Sequence, residues 1–236
     1  MSLVFVVCTD ENIRRSVSRA MHDGDSLAMD LNPNPQMAGP WLKLIGHLPL
    51  EQTHDMRSIK SRSIQAHIDA HQDIKVFVDI NPLFLYTYFD TLNSIYSNHK
   101  KIVLNIETDL ANYACDLNTQ EIFTPVNTAG RYEKFWPTWP QSLCPLDPLG
   151  TYNNWDVIAH HTIDFERRIN KARVHLQDQV QWVDIRADSL PLEEFESPMP
   201  DMELGTDFLK YLFPHDHDHR TIHTHLNSAR GECANG

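Results

Sequence analysis

The chain has 236 residues, 41% of them hydrophobic, which is enough to bury the core of one large domain. Its formal net charge of −12 argues against a general nucleic-acid or membrane-surface binder, which needs clustered Lys and Arg to neutralise phosphates. No apolar run approaches the ~20 residues of a membrane span, and the apolar opening breaks at Asp10, too short for a signal segment.

Four cysteines, Cys8, Cys115, Cys144 and Cys233, lack CxxC pairing and are too sparse for a disulfide framework. They read as buried or inert thiols in a reducing compartment, so a soluble, cytoplasmic protein is expected.

Leu3 to Val7 predicts a first strand that runs into Cys8-Thr9-Asp10-Glu11-Asn12, a turn without glycine. A helix follows from Thr9 to His22, with Ile13, Val17, Ala20 and Met21 at helical spacing and Arg14, Arg15 and Arg19 on the other faces. Such a strand, loop and helix is where a phosphate-binding loop sits, cradling anions with backbone N–H groups at the helix start. Here Asp10 and Glu11 complement the helix dipole themselves and repel a phosphate.

Ser26 to Leu31 suggests a second strand, and Met37 to His47 a short helix despite Pro40. Met56 to Ala70 reads as an exposed helix. Ile74 to Ile80 is nearly continuous in apolar residues, as expected of a strand buried on both faces. Asn81-Pro82 then caps and opens a helix carrying Leu85, Tyr88, Phe89, Leu92, Ile95 and Tyr96, and Lys101 to Ile106 is the next strand. This is a βαβ unit with parallel strands and a right-handed crossover.

Residues 117–150 show no clear period and concentrate Phe135, Trp136, Trp139 and several prolines, an ordered excursion anchored by aromatics. The strongest helix follows: Trp155, Ile158, Thr162, Phe165, Ile169, Ala172 and Leu176 alternate steps of three and four, with Asp156 early and Lys171, Arg173 and His175 late. Val180 to Arg186 supplies a last strand. The fold class is α/β, three layers around a mostly parallel sheet, with one domain over 1–212 and a polar, His-rich flexible tail over 213–236.

The order of elements over roughly residues 3–190 resembles the sulfotransferase family, α/β proteins of P-loop lineage that bind 3′-phosphoadenosine-5′-phosphosulfate. The similarity rests on Val78-Asp79-Ile80-Asn81-Pro82-Leu83-Phe84, on Pro145-Leu146-Asp147-Pro148 with Trp155 to Arg168, and on Val180 to Leu190 with its Asp188-Ser189-Leu190 ending. The resemblance implies a P-loop-type sheet and makes Thr9, Arg14, Arg15 and Asn81 the candidate donor-binding residues. The sequence departs from the family at both anion loops. Thr9 is the hydroxyl of the first loop, where members carry Gly, Ser or Thr and a basic residue. Glu107 and Asp109 stand where an Arg is expected, with Ala114 and Cys115 near the expected Ser.

Asp79 ends a buried strand at its carboxyl end, where open α/β sheets place ligands, and is the candidate general base; the plainer reading is that it helps cap the next helix. His160, in the His160-His161 pair, is a second candidate, against the simpler picture of one half-buried and one solvated imidazole. Phe135, Trp136 and Trp139 form either an acceptor wall or a hydrophobic plug for the long loop. His215, His217 and His219 in the tail suit a divalent metal, which a flexible segment without an apolar cage binds adventitiously.

Two functional readings follow. In the first, a degenerate sulfotransferase-like domain serves as a binding or interaction protein, with a protein or small molecule as partner. In the second, an active transferase moves a sulfuryl group to a hydroxyl acceptor, with Asp79 as base. A weaker third reading is metal handling through the tail.

Overall fold

A computed structural model describes residues 2–10, 13–14, 17, 26–29, 45–73, 76–79, 84–87, 99–119, 123 and 136–187. The chain forms two compact units, one of Met1–Pro33, Ser58–Thr108 and His175–His215, the other of Asn34–Arg57, Asp109–Val174 and Asp216–Gly236.

The first unit is built on a five-stranded sheet of β1 (Ser2–Val7), β2 (Ser26–Met29), β3 (Val76–Asp79), β4 (Lys100–Glu107) and β5 (Gln181–Arg186), in the order β2-β3-β1-β4-β5. Every pairing is parallel. The protein is therefore α/β, as the alternating strand and helix patterns predict. β1 is central and buried along its apolar run because both faces are covered, which explains why its sequence shows no alternation. Val4, Val6 and Cys8 point to one face and pack with the helical residues Ile13 and Val17 and with Val78, Ile106 and Ala187. Leu3, Phe5 and Val7, one residue out of phase, belong to the opposite face, and each is almost fully buried. β5 lies at the sheet edge and is only partly covered, consistent with its polar alternation.

α1 (His54–Ala70) differs from the exposed helix predicted. Arg57 and Ser61, one helical turn apart, are 3% and 0% exposed, and Ile68 is also buried. Two of these described buried residues are polar, and a hydrophobic period does not reveal them. Of the helix expected after Pro82, the described part is α2 (Phe84–Thr87), with Leu85 and Tyr86 buried.

Within the second unit, α3 (Leu110–Thr119) and the long α4 (Asn154–Leu176) share an apolar core that includes Tyr113, Leu117, Phe123, Ile158 and Ile163. Asp109 starts α3 by accepting the Ala111 N–H at 2.7 Å. A reciprocal capping box starts α4: Asn153 Oδ1 accepts the Asp156 N–H at 3.0 Å, and Asp156 Oδ2 accepts the Asn153 N–H at 3.2 Å. The Asn154 amide donates to Asn118 Oδ1 at 2.7 Å and ties the start of α4 to the end of α3.

The part of the Trp-Pro excursion that is described, from residue 136 on, is fixed mainly by α4. Asp164, 0% exposed, accepts from the Ser142 hydroxyl at 2.9 Å, the Leu143 N–H at 2.5 Å and Arg168 Nε at 2.6 Å. Arg168 donates onward to the Gln141 carbonyl at 2.7 Å, and Arg167 to the Leu143 carbonyl at 2.9 Å. A buried carboxylate and two guanidinium groups thus satisfy the backbone of a loop that has no ladder of its own.

Candidate functional site

The strand order selects the place to look. From β1 the chain crosses to β2 on the far side of β3, whereas from β4 it continues outward to β5. The connections after β1 and β4 lead toward opposite edges of the sheet, so the carboxyl ends of these neighbours flank a topological switch point, the usual ligand crevice of an open α/β sheet. Cys8, Thr9 and Asp10 follow β1; Glu107 ends β4 and Thr108 follows it.

The Thr9 and Thr108 hydroxyls hydrogen-bond to each other across this position. Asp10 turns its carboxylate onto the helix that follows: Oδ1 accepts the Ile13 N–H at 3.0 Å while its carbonyl accepts the Arg14 N–H at 3.1 Å. That is an N-cap, and it places negative charge where a bound phosphate would put its own. Glu107 is exposed at the end of β4. One step further along the sheet, Asn105 donates from Nδ2 to Asp184 Oδ1 at 2.9 Å, joining β4 to β5.

Cys8 lies beneath the loop as a thiol. Burial pushes its pKa up to about 12, the negative charge of Asp10 adds to the rise, and a hydrogen bond from the Asp10 backbone and the charge of Arg14 only partly oppose it. A nucleophilic thiolate is therefore absent at neutral pH. Arg14 is itself buried, 8% exposed, and its charge acts on Cys8. Asp79 is 1% exposed and stands in register with Phe5 of β1 and Met29 of β2, deeper along the sheet than Thr9 and Asp10.

The first unit thus contains Thr9, Arg14 and Asp79, whereas His160, Trp136 and Trp139 belong to the second. His160 and His161 are 4% and 1% exposed, which corrects the picture of one half-buried and one solvated imidazole. His160 Nδ1 donates to the Cys144 carbonyl at 3.1 Å, and His161 Nε2 pairs with the Tyr113 hydroxyl at 3.0 Å. Neighbouring helix positions point ~100° apart, and here the loop takes one and α3 the other.

Cys144 is disulfide-bonded while Cys8 and Cys115 are free, which corrects the expectation of four isolated thiols. Trp139 is 7% exposed, lies against Gly46 and is 5.5 Å from the His47 ring; Trp136 meets Phe123 edge-on at 5.0 Å. Arg15, Asn81, Phe135, His215, His217 and His219 lie outside the described residues. Among the described residues, no cluster of His, Cys, Asp and Glu suits a metal, and no helix is long and apolar enough to cross a membrane.

Among the described residues, those at the ends of β1 and β4 offer a poor fit to the phosphosulfate end of the donor that the resemblance implies. The Ile13 N–H is taken by Asp10, the Thr9 hydroxyl is paired with Thr108, and the carboxylates of Asp10 and Glu107 belong to the two loops that follow β1 and β4. Thr108 was open to sequence reasoning, since a hydroxyl directly after a buried strand is a marker of such a loop, but its pairing with Thr9 spans 99 residues and leaves no local signal. Comparison of the chain with models of known families, with curated proteins and with solved structures finds no match.

Proposed function

We propose that this chain is a sulfotransferase-like α/β protein that no longer binds the phosphosulfate donor and works as a binding protein. The observation that carries this reading is the Asp10 carboxylate held on the Ile13 N–H at 3.0 Å, at the helix start that follows the central strand. A like-charge contact costs ~1 kcal/mol in water-like surroundings and ~4 kcal/mol at an effective dielectric of 20. A donor with several negative charges meets that cost more than once if it approaches both Asp10 and Glu107. The parallel sheet with β1 at its centre supports the P-loop-type assignment, and the element order of the sequence supports the family.

Thermal unfolding with and without millimolar adenosine 3′,5′-bisphosphate tests the reading, and no change in midpoint is expected. Ligand at a hundredfold its dissociation constant adds ~2.7 kcal/mol, or roughly 5–10 °C for a chain of this size. A rise of that order overturns the proposal. Turnover of a sulfuryl donor that Asp79→Asn abolishes would overturn it in favour of the transferase.

A further inference from the structure

We draw no further inference here: the strongest candidate, the side-chain cluster of Thr9, Asp10, Glu107 and Thr108 at the carboxyl edge of β1 and β4, belongs to the site already described, and among the described residues nothing else at it points to a ligand.

Discussion

Asp164 joins the loop over 141–143 to α4 within the second unit. It is 0% exposed and accepts from a hydroxyl, a backbone N–H and a guanidinium at 2.9, 2.5 and 2.6 Å. Asp164→Asn keeps the size and removes the charge. An amide has one acceptor oxygen, whereas both carboxylate oxygens are engaged: Oδ1 with Ser142 and Leu143, Oδ2 with Arg168. Whichever way the amide turns, its NH₂ faces a donor, and Arg168, 8% exposed, loses its counter-charge. Breaking one side of a buried ion pair costs about 3–5 kcal/mol. At ~2–4 °C per kcal/mol for a chain of this size, the unfolding midpoint should fall by roughly 6–20 °C. Differential scanning calorimetry reads this directly. Arg168→Met, made alone and with Asp164→Asn, completes a cycle in which the double variant should lose on the order of 1–3 kcal/mol less than the sum of the singles. A loss below ~1 kcal/mol for Asp164→Asn would be the behaviour of an exposed pair and would refute the loop-anchoring argument.

Gly46→Ala should destabilise by about 1–3 kcal/mol, because a Cβ there would lie 2.1 Å from Trp139 Cε3 in a packed site; urea unfolding within ~0.5 kcal/mol of the parent would show that Trp139 moves freely. Cys8 has its thiol pKa raised from 9.0 to about 12, so above pH ~9 the unfolded chain releases a proton that the folded chain keeps, and stability falls as pH rises toward 12. Cys8→Ala should remove about 1.4 kcal/mol of the stability lost between neutral pH and pH 10, and unchanged pH dependence in denaturant titrations would refute the assignment. Asp10→Ala should cost about 0.5–2 kcal/mol by removing the cap of Ile13, while Asp10→Ser should restore most of it; equal losses in thermal melts would show that Asp10 does not act as a cap.

What could be read in advance follows from which interactions are local. β1, β3 and β4 announce themselves as apolar runs because strands covered on both faces need no polar side. α4 is equally clear, since its three-and-four spacing and the Asn153–Asp156 box lie within a few residues of each other. α3 escaped although Tyr113 and Leu117 are buried beside the small Ala111, Ala114 and Cys115, because Asp109 reads equally well as a loop carboxylate and as the cap it is. The Asp164–Arg168 pair has the spacing of an ordinary surface ion pair, and only the loop laid over it makes it interior. Burial of Arg57 and Ser61 was hidden for the same reason: a polar residue declares nothing about the partner that makes its burial tolerable.

On the proposed reading, the switch-point crevice is a ligand site that has closed while its scaffold stays. The packing that holds the first loop in place comes from Val4, Val6, Ile13 and Val17, none of which senses what occupies the loop. The helix start nevertheless presents N–H groups that need acceptors, and a buried donor left without one costs about 1–3 kcal/mol. A phosphate can supply the acceptor from outside, or a side chain can supply it from within. Asp10 does the latter for Ile13, and the Thr9–Thr108 bond likewise joins two hydroxyls within the protein. On the proposed reading, one carboxylate therefore both removes donor affinity and satisfies the backbone group that the missing donor would leave bare. Losing the ligand then need not destabilise the fold, and the Asp10→Ser and Asp10→Ala pair separates the two roles: both substitutions remove the repelling charge, but only serine keeps the cap.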